Sequence, residues 1–430
     1  MNKIDYKTIR ECKYEKVLDN GLKVVIIPKK GFIKYFASFS TSFGALNKEY
    51  ISINTNKKAI IPNGVAHFLE HKMFEMSDGT DATAYFSDLG VDSNAFTDYN
   101  QTSYIISGTS NLEEAVSYLL DFVQSPYFTK ENVEKEKGII IQEYNMYNDQ
   151  ANEILNKELM KSMYHNMAYN EDVVGNIDDI NSITNEILQD AYDTFYHPSN
   201  MLFCLVGDVD PDRIIKLIEE NQNQKQFKKN NVNEIVEIKE EDEILEVEKT
   251  IKMDVVYPKV SIGIKLPYDD YSGNKNLTLE IKFKIFLEML IGSMSDSYQD
   301  MLDKEYIGTE YRYSIRIDNY SSYIKISSDS KKPHKFIEYI KNKIAYAKDM
   351  LIDEEIFNKI KKAFFGSVLM SLNDVEYIGV SYPEYYFKNC EFFEAIEELH
   401  NLKSSDLEEI KKYFDLSKLS TLIIDKSNNR

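Results

Sequence analysis

Two histidines and a glutamate on one helical turn constrain this chain more than any other feature of its sequence. In His67-Phe68-Leu69-Glu70-His71 the imidazoles stand four residues apart, so a helix would place them side by side with the Glu70 carboxylate near the same point. Zinc binds neutral imidazole nitrogens, and a catalytic zinc keeps one position open for water. The pattern therefore predicts a helix that carries His67 and His71 as zinc ligands and Glu70 as a base.

The alternative is an amphipathic helix on which two histidines are neighbours by chance. The motif uses two of the 6 histidines in the chain, and its order, H-x-x-E-H, is that of the inverted zinc-protease motif. We therefore favour metal binding, with a third ligand supplied from elsewhere in the sequence.

The candidate for that third ligand is Glu143. Residues 130–148 read as one long helix with Thr129 as its N-cap, and Glu136 and Glu143 are almost two whole turns apart, so they share a face. The apolar run at 138–141 predicts that this part of the helix is buried. Because a buried acid requires a partner, Glu143 is expected to bind the metal.

Three segments together resemble the M16 (insulinase, pitrilysin, mitochondrial processing peptidase) family of metalloproteases. They are His67–His71, Asn94-Ala95-Phe96-Thr97 and residues 136–143, Glu-Lys-Gly-Ile-Ile-Ile-Gln-Glu. Gly64-Val65-Ala66 and Tyr196-His197-Pro198-Ser199-Asn200 are similar to the YmfH-like bacterial branch of that family. The resemblance is specific over residues 15–210 and weaker beyond them.

The resemblance implies a role for each matching residue. His67, His71 and Glu143 would hold one Zn²⁺ per chain, Glu70 would be the general base, and Glu136 would support the ligands from behind. A further set would pair with the backbone of a peptide substrate as the edge of a strand: Asn94, Ala95 and Phe96. In such an enzyme zinc acidifies a water molecule and polarises the scissile carbonyl, while Glu70 moves the proton.

Length and hydrophobic patterning indicate two domains. A chain of 430 residues is longer than a single hydrophobic core usually supports. Residues 221–250 are polar, with few apolar residues until Ile244. We predict an α+β fold with a zinc-bearing catalytic domain at 1–220, a linker at 221–250, containing a possible edge strand near Ile235, and a domain without metal at 251–430. The family implies that the two domains share one topology, a mostly antiparallel sheet covered by helices, and close like a clamshell.

Composition narrows the compartment and the partners. The net charge of −20 disfavours nucleic acid and anionic membranes as partners. The first residues do not resemble a secretory leader, and no apolar run is long enough to span a bilayer, so we expect a cytoplasmic protein. Three scattered cysteines argue against a disulfide framework.

The second half departs from the family at one point. Many members carry an arginine and, seven residues later, a tyrosine that grip the substrate backbone, and the matching positions here are Leu302 and Thr309. Neither side chain can replace the missing donor groups. Candidate substitutes are Tyr311 or Arg312 after a shift, and Tyr385 or Tyr386 from a later helix.

This departure bears on assembly and function. A homodimer, or preferably a heterodimer with a zinc-free M16 homologue, would supply the missing substrate grip, as two-chain members of the family do. We predict a zinc endopeptidase acting on peptides or small unfolded polypeptides. The alternatives are a non-catalytic subunit of a heterodimeric peptidase and a dedicated leader-peptide or bacteriocin-precursor protease.

Overall fold

The chain folds into two units, each built around its own sheet. The structure, a computed structural model, describes residues 1–166, 172–227, 240–267, 273–317 and 322–427. The first unit comprises 1–144, 172–237 and 369–387, and the second comprises 145–171, 238–368 and 388–430. Among the described residues, none forms a helix with the length and apolar content that crossing a membrane requires.

The strands are these: β1 Asn2–Tyr6, β2 Glu11–Val17, β3 Lys23–Pro28, β4 Tyr35–Thr41, β5 Glu49–Ile51, β6 Lys58–Ile60, β7 Asp92–Thr97, β8 Thr102–Gly108, β9 Met201–Gly207, β10 Glu248–Met253, β11 Lys259–Leu266, β12 Arg312–Ile317, β13 Ser322–Asp329 and β14 Leu419–Lys426. The helices are these: α1 Val65–Met73, α2 Ala82–Asp88, α3 Leu112–Val123, α4 Lys130–Asn148, α5 Ala151–Met163, α6 Ile177–Ser182, α7 Asn185–Phe195, α8 Pro211–Asn223, α9 Asn274–Ile291, α10 Asp296–Asp303, α11 Pro333–Ala347, α12 Glu354–Ser371, α13 Val375–Phe387 and α14 Phe392–Asn401. Residues 404–413 form a 3₁₀ helix.

The two sheets share one topology. The first has the order β1-β2-β3-β9-β4-β8-β7 and the second the order β10-β14-β11-β13-β12. The run β3-β9-β4-β8-β7 matches the whole second sheet strand for strand, and in each sheet the first pair of this run, β3 with β9 and β10 with β14, is parallel while the other pairs are antiparallel. The predicted α+β fold with two domains of similar topology is therefore confirmed.

The units differ from the predicted contiguous domains, because two helices are exchanged. Helix α13 belongs to the first unit and packs on β4 and β9, whereas α5 belongs to the second unit and packs on β11 and β14. A helical periodicity shows that one face is buried but not which sheet buries it, so the sequence placed both helices with their chain neighbours. Of the predicted linker, residues 228–239, with the expected edge strand, lie outside the described residues, and α8 extends into it as far as Asn223.

The exchanged helix α13 approaches its sheet closely. Ser38 of β4 donates a hydrogen bond to the Gly379 carbonyl oxygen at 2.9 Å, and a Cβ at Gly379 would overlap the ring of Phe36. Helix α3 packs on β4 as well, so β4 is covered from both sides and is buried along its whole length. Strand β9 is likewise buried along its whole length, which explains why it reads as the unbroken apolar run Met201–Val206 rather than as an alternating pattern.

Two local features of the first unit follow directly from its sequence. Strands β2 and β3 pair antiparallel, with Tyr14 opposite Ile26, around a turn at Asn20-Gly21 in which Gly21 has a φ of 91°. Helix α8 begins after Asp210, whose side chain accepts a hydrogen bond from the Asp212 backbone N–H at 3.0 Å. In the second unit, the 3₁₀ helix at 404–413 leads through a short turn into β14.

Candidate metal centre

Helix α1 carries the two histidines and packs against β7, β8 and α7 in the first unit. It begins after Gly64, which has a φ of 86°. This left-handed conformation favours glycine, and a Cβ at this position would overlap the Val174 carbonyl oxygen. The glycine ahead of the motif therefore lets the 172–176 loop lie directly against the start of the helix.

The three predicted ligands come together. The Nε2 atoms of His67 and His71 lie 3.7 and 3.3 Å from Oε2 of Glu143, and one ligand atom from each residue lies within 4.8 Å of the other two. Zinc bonds of about 2.0–2.1 Å in a tetrahedral site place neighbouring ligand atoms about 3.3–3.4 Å apart. The two imidazoles and one carboxylate therefore fit zinc both in chemistry and in spacing, with one position left for water.

Helix α4 supplies Glu143 in a way that the sequence described only in part. The helix spans the predicted residues, and Thr129 caps it by accepting a hydrogen bond from the Asn132 backbone N–H at 3.1 Å. The prediction that residues 138–141 are buried is wrong, because Ile140 is 1% exposed whereas Ile139 is 47% exposed. One face of α4 packs inward and the adjacent face carries the site acids, so an apolar run does not bury the whole turn.

Glu136 lies behind the ligands, almost two helical turns before Glu143 on α4. The His71 Nδ1–H donates to Oε1 of Glu136 at 3.1 Å, which leaves Nε2 of His71 directed at Glu143. A carboxylate bound to the far nitrogen fixes the tautomer and the orientation of a metal-binding imidazole. The arrangement is that expected of the residue predicted to support the ligands.

Lys72 is a part of the centre that the sequence analysis missed. Its side chain is fully buried, forms an ion pair with Glu75, and has its Nζ 4.0 Å from Oε2 of Glu136. A buried ammonium is stable only when it is paired. A signal was available, because Val65, Leu69 and Lys72 are spaced as i, i+4 and i+7 on the helix face that packs inward.

The pKa values of the two imidazoles are shifted in opposite directions. Burial, and to a smaller extent the neighbouring His71, lower the pKa of His67 to about 4. Burial also acts to lower the pKa of His71, but the Glu136 and Glu143 carboxylates outweigh it and raise that pKa to about 9. Without a metal at pH 7, His71 is therefore protonated and His67 is neutral.

Glu70 lies on the same helix as the histidines and is held by a residue of β7. The Thr97 hydroxyl donates to Oε2 of Glu70 at 2.6 Å. Burial raises the pKa of Glu70 above its ordinary value, against the opposing effect of this hydrogen bond. Thr97 ends the Asn94–Thr97 segment, in which only the first three residues were predicted to have a role.

The predicted substrate strand is an edge strand. Asn94, Ala95 and Phe96 lie on β7, which ends the first sheet and pairs with β8. The Ala95 N–H donates to Asn94 Oδ1 at 2.9 Å, so this amide is directed at the side chain of its own strand rather than at β8. Because β7 also contacts α1, the sheet edge and the histidine helix are neighbours.

The residues proposed to replace the missing substrate-binding arginine and tyrosine have neighbours elsewhere in the fold. The Tyr311 hydroxyl donates to the Ile291 carbonyl oxygen at 2.8 Å, within the second unit. Burial and the charge of nearby Glu15 raise the pKa of Tyr386, which places Tyr386 beside β2. Five inter-strand steps separate β2 from β7, or about 24 Å. Tyr386, a candidate substitute for the substrate grip, therefore lies beside β2 and away from the β7 edge of the first sheet.

Comparisons with known proteins identify the family of this chain. Residues 56–176 match the family model "Insulinase (Peptidase family M16)", and residues 182–364 match "Peptidase M16 inactive domain". The uncharacterized zinc protease YmfH of Bacillus subtilis is 36% identical over 407 residues, which are 95% of each chain. The human mitochondrial-processing peptidase subunit beta is 29% identical over 159 residues, 36% of this chain and 32% of that one.

A solved structure extends the comparison to the fold. The crystal structure of an M16-like peptidase from Alicyclobacillus acidocaldarius has a TM-score of 0.93 and 31% sequence identity, and the match covers 97% of this chain and 99% of that one. The likeness therefore includes both units as well as the histidine helix. The chain belongs to the M16 (insulinase) peptidase family, in its YmfH-like branch.

Proposed function

We propose that this chain is a zinc-dependent endopeptidase that cleaves peptides or small unfolded polypeptides. The observation that carries the proposal is the convergence of His67 Nε2, His71 Nε2 and Glu143 Oε2 beside the carboxylate of Glu70. These three residues would hold one zinc ion per chain. The family membership supports the same class of chemistry.

Each side chain of the centre has a distinct task. Bound zinc supplies a Lewis acid that polarises a carbonyl and acidifies water. Glu70 takes a proton from the attacking water and passes it to the leaving amine, so the carboxylate alternates between base and acid. Glu136 holds the His71 ring in place through Nδ1. The peptide backbone would pair with β7 at Asn94, Ala95 and Phe96 and so present its carbonyl to the centre.

The proposal includes a dimeric assembly. Leu302, on α10, and Thr309 are both exposed, and neither offers the donor groups that grip substrate in many family members. One relative is by name a subunit of a processing peptidase. A partner with the missing groups, either a second copy or a zinc-free homologue, would complete the site.

The same departure favours a second candidate, a non-catalytic subunit. Against it stands Glu70, which has no task in a purely structural metal site. Dedicated cleavage of leader peptides or bacteriocin precursors is a narrower version of the endopeptidase proposal, with the same residues.

The test is peptide cleavage with zinc quantified in the same sample, by the chain alone and mixed with a zinc-free homologue. Glu70→Gln should retain one zinc and lose about 10²–10⁴-fold in turnover, because a proton-transfer group is removed while the ligands stay. Glu143→Gln should lose zinc, and Glu131→Gln, an exposed acid on α4, should behave as wild type.

Two outcomes would contradict the proposal. Cleavage by Glu70→Gln at the wild-type rate would remove Glu70 from the mechanism. Zinc without cleavage of any peptide, in either the single chain or the mixture, would favour the non-catalytic subunit.

A further inference from the structure

The contact between Thr97 and Glu70 joins two functional parts of the first unit. Thr97 is the last residue of β7 and Glu70 lies on α1, 27 residues earlier in the chain, and their hydroxyl and carboxylate oxygens are 2.6 Å apart. Hydrogen bonds to an ionised carboxylate are shorter and stronger than those between neutral groups. The short distance therefore indicates a bond that fixes the direction of the carboxylate.

The surroundings of Thr97 explain why its proton goes to Glu70. Thr102 lies directly opposite on β8, and the two hydroxyl oxygens are 3.2 Å apart. Thr102 is fully buried and donates its own proton to the Phe43 carbonyl oxygen at 2.9 Å. Since each hydroxyl has a single proton, the Thr97 proton is available to Glu70 while its oxygen rests against Thr102.

Packing on this face of β7 does not require a hydroxyl. Side chains of a strand alternate between faces, so Ser93, Ala95 and Thr97 share one side, and the apolar methyl of Ala95 stands in the middle of it. Valine has the same branched shape as threonine and favours strands equally. The hydroxyl of Thr97 therefore contributes chiefly through its bond to Glu70.

We infer that Thr97 is a positioning residue of the peptidase reaction. Its hydroxyl fixes the Glu70 carboxylate to the strand on which the peptide backbone docks, so the base and the scissile carbonyl are held in one register. The inference rests on the proposed function. It adds that β7 both binds the substrate and aligns the base.

Steady-state kinetics test the inference through three variants. In Thr97→Val, kcat should fall about 10–100-fold because a loosened base is misplaced by a fraction of an ångström. KM should stay within about twofold, and the zinc content should not change, because neither the edge of β7 nor the ligands are altered. Thr97→Ser should restore kcat to within about threefold of wild type, and the control Ser93→Ala should leave it unchanged.

A second readout does not depend on activity. In metal-free protein, Thr97→Val should lower Tm by about 2 °C or more in the Glu70 background, and by clearly less in a Glu70→Ala background, because the bond is already absent there. Additive Tm shifts would show that the two side chains do not interact.

The outcomes separate this inference from the proposed function. Wild-type kcat in Thr97→Val, a rise in KM alone, or additive Tm shifts would overturn the role of Thr97 and leave Glu70 as the base. A wild-type protein that binds zinc and cleaves nothing would overturn both, and non-additive Tm shifts would then identify a structural bond.

Discussion

Zinc binding should release about one proton per chain near pH 7.5. With a pKa of about 9, His71 carries its extra proton in about 97% of metal-free molecules at this pH, whereas His67, with a pKa of about 4, carries one in fewer than about one in a thousand. Both imidazoles must be neutral to bind the metal. The proton lost on binding therefore comes from His71.

The number of protons released on zinc binding distinguishes this centre from two histidines with ordinary pKa values. With pKa values of 6.5, two imidazoles would together release only about 0.2 proton at pH 7.5. One proton per zinc also means that affinity rises nearly tenfold, or about 1.4 kcal/mol, for each pH unit between about 6 and 8. The rise should level off as the pH passes the pKa of His71.

Isothermal titration calorimetry in buffers of different ionisation enthalpy measures the released protons directly. In Glu136→Gln the release should be smaller, because an amide can still accept from His71 Nδ1 but no longer carries the charge that raises its pKa. Glu131→Gln is the matched control and should match wild type. A release near 0.2, or an affinity independent of pH, would refute the assignment of opposite pKa shifts to the two histidines.

Three further perturbations test packing in the first unit. Lys72→Met should lower the free energy of unfolding by about 1–3 kcal/mol in chemical denaturation, because it leaves the acids beside it without their buried cation; unchanged stability would show that the pair is dispensable. Gly64→Ala should cost at least about 1–2 kcal/mol, measured in the same way, because its φ of 86° is strained for alanine; a neutral substitution would contradict the tight approach to Val174. Removing residues 375–387 should abolish cooperative unfolding of the first unit, followed by near-ultraviolet circular dichroism, and a native-like transition would contradict the role of α13 as its cover.

The sequence predicts the metal centre well because its determinants are local. The spacing of His67, Glu70 and His71 fixes their common face on α1, and the seven residues from Glu136 to Glu143 do the same on α4. Only the approach of one helix to the other requires tertiary structure, and the family resemblance supplied that expectation. The ligand convergence could therefore be expected before the fold was known.

The residues that were missed owe their roles to contacts with distant parts of the chain. Thr97 meets Glu70 across 27 positions, so its role appears as no periodicity. The helical spacing of Lys72 indicates that it is buried but does not indicate its partner on α4. Ile139 shows the converse error, since an apolar residue beside a buried one was taken to be buried. Hydrophobic patterning identifies the inward face of an element but not the identity of what covers it.

The exchanged helices have a consequence for the order in which the protein can fold during its synthesis. The last strand of the first sheet, β9, is complete at residue 207, but α13 follows at 375–387. At about 5–20 residues per second, ribosomes need roughly 9–36 s to make the intervening segment. During that time the face of β4 and β9 that α13 will cover has no helix on it. Helix α5 likewise cannot pack on β14 until residues 419–426 have been made. Neither unit can therefore complete its folding before almost all of these residues have left the ribosome.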